Sequence, residues 1–203
     1  MPYSKFESIE EVAEKFDIEV NITSFIQQKE IKIQEFHFKR LQVKLADNAY
    51  FINEFAVGEH IIAPILDLIV EKFSQLRVWS RVSFNVDKEK DLIGEPDYLI
   101  APKNKYGGMS IPPICVIEAQ KERFDEGWAQ ALAEMIAASF KGADICYGVV
   151  TTGKIWEFGK LKSKLFTKNP DQVSATRELQ ILFNMLNWVF NEANKNIADL
   201  KKL

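Results

Sequence analysis

Histidine and cysteine are scarce in this chain, which has two of each among its 203 residues. A zinc site takes about four such ligands at short spacings, but Cys115 and Cys146 lie in separate apolar runs, and His37 and His60 are far from both. This scarcity excludes a zinc cluster, a CxxC redox pair and a histidine-based metal finger. It also indicates two reduced core cysteines, which is typical of a cytoplasmic protein.

Long apolar runs are missing as well. The longest apolar stretch, IIAPILDLIV at 61–70, contains Pro64 and Asp67, and it is much shorter than the roughly 20 residues of a membrane-spanning helix. The first residues, MPYSKFESIEEV, are polar and charged, unlike the basic and then apolar start of a secretory signal. We therefore expect a cytoplasmic protein with no membrane partner.

The chain has no excess of positive charge, because its formal net charge is −3. Bulk electrostatic coating of nucleic acid is thereby excluded, although a local basic face is not. Hydrophobic residues make up 47% of the chain, which is enough for one ordinary core at this length. We expect an N-terminal extension at 1–48 that packs on a single domain at 49–203.

Sequence periodicity predicts an α/β fold with a mixed central β-sheet flanked by helices. Ser8 and Glu11 form a capping box that opens a helix ending near Phe16, whereas the alternation at 30–47 predicts strands or a hairpin. A helix is expected from 49 to 73, with a kink or restart at Pro64. The other predicted elements are three antiparallel strands at 77–87, 92–102 and 114–121, a helix at 125–141, a strand-turn-strand at 144–166 and a long C-terminal helix at 174–199.

Two carboxylates occur where apolar strand-like runs end or are interrupted. Glu118 follows the run ICVI at 114–117, and Asp97 interrupts the apolar stretch GEPDYLI. If these strands pair antiparallel across the loop at 103–113, the alternation of side chains brings Asp97 and Glu118 next to each other on one face. Taken alone, each residue is better explained as a turn residue or a strand end, so the prediction depends on the pair.

Adjacent carboxylates repel each other unless a cation or a shared proton relieves the charge. Mg²⁺, with Mn²⁺ as a substitute, is the hard divalent cation that carboxylate oxygens and water would hold. Such an ion lowers the pKa of bound water and neutralises charge on a phosphodiester under attack. The pair therefore predicts metal-dependent hydrolysis of phosphodiester bonds.

Several segments resemble the PD-(D/E)XK nuclease superfamily. They are GEPDYLIAP at 94–102, CVIEAQK at 115–121 and the amphipathic helix after them. NEFAVGEHIIAPIL at 53–66 and GVVTTGKIWEFGK at 148–160 are similar to segments that flank the catalytic strands in relatives of type I restriction subunits. The resemblance spans about 50–167 and implies a restriction-endonuclease-like fold and a Mg²⁺-dependent deoxyribonuclease with DNA as its substrate.

By this resemblance, Asp97 and Glu118 would be the metal-binding carboxylates, and the main-chain carbonyl of Ala119 would be a further ligand. Glu54 corresponds to a helix glutamate that reaches the metal, often through water, although a solvated helix glutamate explains it equally well. Gln130 corresponds to a glutamine on the helix that follows the catalytic strands, and it is assigned to nucleic-acid binding.

The resemblance breaks down at one catalytic position. The superfamily has a lysine two residues after the glutamate, but this chain has Gln120 there and Lys121 one residue later. Strand alternation turns Lys121 away from the metal unless a bulge follows Ala119. Either Gln120, or Lys121 re-aimed by such a bulge, is therefore the predicted catalytic residue at the attacking water. The alternative is a catalytically inactive module of the same fold that binds nucleic acid or a protein partner.

Two further surfaces are candidate partner sites. The segment 153–168 has five lysines against one glutamate, and it is either a DNA-backbone face or a solvated strand face. The C-terminal helix has apolar residues on more than one side, which suggests burial in a homodimer. The lysines assigned to the DNA face are Lys154, Lys160, Lys162 and Lys164.

Overall fold

The computed structural model describes residues 3–121 and 123–200, and it describes residues 198–200 by their backbone alone. The strands are β1 (Glu19–Ile22), β2 (Leu76–Ser80), β3 (Tyr98–Pro102), β4 (Cys115–Ala119), β5 (Ile145–Thr151), β6 (Ile155–Lys162), β7 (Leu165–Lys168) and β8 (Val173–Ser174). They form one mixed sheet in the order β1-β7-β6-β5-β4-β3-β2, with the short β8 paired to β6.

Helices cover both faces of this sheet. They are α1 (Ile9–Phe16), α2 (Glu35–Ala46), α3 (Glu54–Val57), α4 (Ala63–Val70), α5 (Phe124–Phe140) and α6 (Ala175–Leu200). The mixed sheet, its flanking helices and the long C-terminal helix agree with the predicted α/β class. No helix in the described part of the chain is long and apolar enough to cross a membrane.

Each face of the sheet buries its own apolar core. Leu99 and Val116 belong to the core beneath α5, whereas Ile100 and Ile117 belong to the core beneath α4 and α6. This division follows from the alternation of side chains along a strand. All five residues of β4 are buried, which explains why its sequence is a continuous apolar run that ends in Glu118.

The helix predicted at 49–73 spans 54–70 and changes its hydrogen-bond pattern just before Pro64. A 3₁₀ turn at Asn48–Phe51 precedes α3, which passes through a π-helical turn at Gly58–Ile62 into α4. Pro64 lies in the first turn of α4, where a residue without an N–H is tolerated best. The helical backbone is therefore continuous from Glu54 to Val70, with a π turn just before Pro64 and no restart.

The segment 30–47 contains α2, so the predicted strands or hairpin are wrong. α2 buries Leu41 and Leu45, which are four residues apart, and leaves Val43 69% exposed. A spacing of four residues marks one face of a helix, and here it outweighs the local alternation. The outer strand beside β7 is instead β1, whose residues are all exposed. Val20 and Ile22 alternate with Glu19 and Asn21, so the sequence carried a strand signal there, although no strand was predicted at 19–22.

The strands predicted at 77–87 and 92–102 are shorter than expected. β2 ends at Ser80 because Arg81 adopts a left-handed backbone conformation with φ of 51°. The chain then returns to the sheet at β3. β2, β3 and β4 are antiparallel neighbours as predicted, and this pairing brings the start of β3 beside the end of β4.

Apolar residues on the outer side of α6 are covered by the chain itself. The ring centroid of Trp188 lies 6.4 Å from that of Phe25 and 6.2 Å from that of Tyr147. The second apolar side of the helix, which led to the homodimer prediction, is therefore packed within one copy. It no longer argues for a dimer.

Candidate functional site

Asp97 and Glu118 interlock where β3 begins and β4 ends. Tyr98 pairs with Ile117, so continuing the register by one residue sets Asp97 opposite Glu118. The main-chain N–H of Asp97 donates to Glu118 Oε1 at 3.2 Å, and the main-chain N–H of Ala119 donates to Asp97 Oδ2 at 3.0 Å. Each carboxylate is therefore held by the main chain of the other strand.

Glu118 points under α5, where only 1% of the residue is exposed. Gln130 on that helix donates through Nε2 to Glu118 Oε2 at 2.6 Å. Glu134 lies one turn further along α5 and is 0% exposed. Its Oε1 is 3.5 Å from Gln130 Nε2, and its Oε2 has no hydrogen-bond partner among the described residues. A buried carboxyl pair therefore sits beneath the strand ends.

Burial governs the protonation of this pair. Loss of solvation raises the pKa of the Glu118 carboxyl well above its ordinary range, and the nearby charges of Glu134 and Asp97 raise it further. Burial likewise raises the pKa of Glu134 to about 8. Two buried carboxyls without a cation cannot both ionise at low cost. In the protein alone, a proton on this pair relieves the repulsion at neutral pH.

Asp97 is more accessible, with 25% of its side chain exposed. Burial raises the pKa of its carboxyl, whereas the Ala119 N–H and the Arg81 guanidinium oppose that rise. The charge of Glu54 acts in the same direction as burial, which places Glu54 within electrostatic reach of Asp97. Asp97 thus lies between one cation and a second carboxylate.

Glu54, Gln120, Lys121 and Lys154 line one pocket of about 200 Å³ beside the strand ends. β4 ends at Ala119 and the chain bends at Lys121. The strand alternation that predicted an outward Lys121 therefore does not extend to it, and Lys121 lines the same pocket as Gln120.

The side chain of Gln120 packs against α5 at Gly127. A Cβ added to Gly127 would stand 2.5 Å from Gln120 Cγ, a distance at which one of the two groups must move. The main-chain N–H of Gln120 donates to the Thr151 carbonyl at 2.8 Å. The missing side chain of Gly127 thus leaves room for Gln120, and the hydrogen bond to β5 fixes the position of its main chain.

The carboxylates of this site could hold a hard divalent cation only with water and substrate as further ligands. Within residues 3–121 and 123–200, no three His, Cys, Asp or Glu side chains converge as a metal cage. Mg²⁺, however, is usually bound by one or two carboxylates and completed by water and substrate phosphate. An ionised carboxylate has about four lone-pair sites, and the bonds to the Asp97 N–H and Gln130 occupy two of those on Glu118. Asp97 and Glu118 therefore fit a two-carboxylate Mg²⁺ site.

The lysines assigned to a DNA face do not form one surface. Lys154 lies at the candidate site, with Nζ 3.2 Å from Asn48 Oδ1, whereas Lys164 forms an ion pair with Asp17. Lys160 is half-buried, with its Nζ 4.8 Å from the centroid of the Phe25 ring. Lys162 is exposed at the far end of β6, which is roughly 23 Å long at strand spacing. Of the four, Lys154 alone is near the candidate site.

Sequence reasoning missed two residues at this site. Glu134 carried a signal, because it is the sole charged residue between Glu126 and Lys141 on an otherwise apolar helix, and a buried unpaired charge is costly. Arg81 carried no signal, since it sits in an alternating segment that was predicted to continue as a strand. Its place beside Asp97 depends on the left-handed turn that ends β2.

The chain matches no family model, and no similar sequence is found among curated proteins.

Proposed function

We propose that the chain is a Mg²⁺-dependent nuclease that hydrolyses phosphodiester bonds in nucleic acid, with DNA as its substrate. The observation that supports this most is the pair of hydrogen bonds that interlock Asp97 and Glu118 at adjacent strand ends. Those bonds hold two oxygen ligands together before any ion arrives, and such preorganisation is what a metal site requires.

Each residue of the site has a distinct task in this proposal. When bound, Mg²⁺ would supply a water of lowered pKa and neutralise charge on the phosphate. Gln130 orients the Glu118 carboxylate through its 2.6 Å hydrogen bond. Gln120 places an amide at the edge of the pocket, where it can orient water without supplying charge. Lys121 lines that pocket and gives a phosphate a nearby cation.

A second candidate is a catalytically inactive module that binds nucleic acid or a protein. The observation that favours it is the burial of Glu118, which is 1% exposed and lies against a second buried carboxyl. If the pair keeps a proton even when Mg²⁺ is abundant, Glu118 stays neutral and is a poor ligand. The neutral Gln120 in place of the superfamily's lysine points the same way.

Cleavage and metal binding separate the two candidates. Plasmid and single-stranded DNA are incubated with the protein and Mg²⁺, Mn²⁺ or EDTA, and wild type is compared with Asp97→Asn and Glu118→Gln. The matched control is Glu35→Gln, because Glu35 is an exposed carboxylate on α2. A nuclease loses metal-dependent cleavage in both site variants and keeps it in the control.

Mn²⁺ binding is measured in parallel by electron paramagnetic resonance. Equal cleavage traces with and without metal, together with equal Mn²⁺ binding by wild type and Glu118→Gln, would support the inactive module. Thermal unfolding of each variant shows whether a loss reflects the site or the fold.

A further inference from the structure

The side chains of Arg81 and Phe55 are in contact at the edge of the candidate site, and neither has a role in the proposed function. Arg81 follows the end of β2, and its main-chain N–H donates to the carbonyl oxygen of Asp97 at 3.1 Å. Its φ of 51° is left-handed, a conformation that costs free energy in a residue with a side chain. This turn ends β2 and sets the Arg81 side chain beside Asp97.

The Arg81 guanidinium lies between Asp97 and Phe55. Its Nη2 is 3.7 Å from Asp97 Oδ1, and its central carbon is 4.0 Å from the centroid of the Phe55 ring. A separation of 3.7 Å is too long for a good hydrogen bond, and 46% of the side chain is exposed. The guanidinium therefore retains N–H groups that can bind a phosphate in the bidentate manner typical of arginine.

Phe55 is 62% exposed although it is a large aromatic residue. It stands next to Glu54, in the first turn of α3. The contact with Arg81 orients its ring, and the exposed remainder is a flat apolar surface. Such surfaces stack on unpaired bases with little dependence on sequence, and an arginine beside the ring contacts the backbone.

We propose that Arg81 and Phe55 bind one nucleotide of the substrate, with the guanidinium on its phosphate and the ring stacked on its unpaired base. The preferred substrate is then single-stranded nucleic acid, since a paired base is stacked within its duplex and cannot cover the ring. The role in substrate choice rests on the proposed nuclease function, but the binding itself does not require cleavage. Arg81 also supplies a positive charge beside Asp97 that the neutral Gln120 cannot supply.

A simple surface ion pair is the competing explanation for Arg81. Exposed pairs contribute little to stability. The two explanations differ in whether loss of the side chains changes nucleic-acid binding.

The test is fluorescence anisotropy in EDTA, so that no cleavage occurs, with a labelled single-stranded oligonucleotide and the matching duplex. Phe55→Ala and Arg81→Asn are compared with wild type. Asparagine is chosen because it tolerates the left-handed backbone that Arg81 adopts. Phe36→Ala is the matched aromatic control, because Phe36 is 70% exposed on α2, and Arg40→Gln on the same helix is the matched cationic control.

The expected result is a loss of single-strand affinity of about 5- to 100-fold in Phe55→Ala, with little change for the duplex. Arg81→Asn should weaken binding and lower the salt dependence by about one phosphate contact. Phe55→Trp should bind at least as tightly as wild type. Affinities equal to wild type in both variants, equal losses for single strand and duplex in Phe55→Ala, or equal losses in the α2 controls would each overturn the proposal.

A cleavage assay with Mg²⁺ on the same variants, run beside the binding assay, keeps this proposal separate from the nuclease function. Wild-type protein that binds single strands through Phe55 and Arg81 but never cleaves them would leave the nucleotide site standing and remove the nuclease. Metal-dependent cleavage that both variants perform as wild type does would remove the nucleotide site and leave the nuclease standing.

Discussion

Gln130 on α5 reaches across to β4 and donates to Glu118 Oε2 at 2.6 Å, so a helix side chain determines how a strand carboxylate is oriented. The same amide lies 3.5 Å from Glu134 Oε1. One glutamine therefore lies between the two buried carboxyls. It was assigned to nucleic-acid binding by resemblance, but in the structure its amide faces Glu118.

Removing this amide should weaken metal binding more than it weakens the fold. Partners that orient a ligand typically contribute 10- to 100-fold in affinity, so we expect Gln130→Ala to reduce Mn²⁺ affinity by about 10-fold. Isothermal titration measures this. Gln180→Ala is the control, because Gln180 also bonds two groups but lies on α6. Equal Mn²⁺ affinities in wild type and Gln130→Ala would contradict the positioning role.

The buried carboxyl pair should make the free energy of unfolding depend on pH. The pKa of Glu134 in the folded protein is about 8, above its ordinary value of 4.5. Between these two values the folded state retains a proton that the unfolded state has lost, so stability falls as pH rises. For one proton the slope is about 1.4 kcal/mol per pH unit.

Glu134→Gln should flatten this decline, because an amide is neutral throughout and can donate to an ionised Glu118. Chemical denaturation in EDTA at several pH values measures the slope, with Glu35→Gln as the exposed control. If wild type and Glu134→Gln lose stability in parallel across the window from 4.5 to about 8, the pair does not share a proton as described.

Gly127 should be intolerant of a methyl group. An added Cβ would stand 2.5 Å from Gln120 Cγ and 2.7 Å from Val150 Cγ1. Overpacking of this kind costs about 1–3 kcal/mol, although glycine to alanine in an open helix is normally stabilising. We expect Gly127→Ala to be destabilised in urea and to be partly rescued by Gln120→Ala. A Gly127→Ala variant as stable as wild type would show that Gln120 does not pack there.

Glu157 should be a stability residue rather than a site residue. It is 4% exposed on β6, and its Oε2 accepts hydrogen bonds from Trp128 Nε1 and from Lys168 Nζ, the latter at 2.9 Å. Breaking a buried pair by removing one partner costs about 3–5 kcal/mol. We expect Glu157→Leu to lose about 3 kcal/mol, with a change in Trp128 fluorescence.

The exposed ion pair of Lys164, between β6 and β7, with Asp17 is the control for the stability loss expected at Glu157. Lys164 and Asp17 are both largely solvent-exposed, and such pairs contribute about 0–1 kcal/mol. Urea denaturation should therefore show a small change for Lys164→Met. A loss in Lys164→Met as large as that in Glu157→Leu would contradict the distinction between buried and exposed pairs.

Much of the sheet was predictable because its signals are local. The apolar run of β4 required burial on both faces, and the alternation of side chains set Asp97 and Glu118 on one face once β3 and β4 were paired. The prediction for 30–47 was wrong because a short amphipathic segment contains both a period of two and a period of four. The helix α2 is favoured because it buries Leu41 and Leu45 together in a core, and that core is formed by residues distant in the chain.

By itself the sequence determined the α/β class, the order of most elements and the shared face that Asp97 and Glu118 take once their strands pair, since periodicity and strand pleating act over a few residues. Only the tertiary structure decided the surroundings of that pair. Glu134 is buried against it because α5 packs on β4, and Arg81 meets Asp97 because a left-handed turn ends β2. Burial, charge separation and shared protons arise between elements far apart in sequence, and they determine what two neighbouring carboxylates can do.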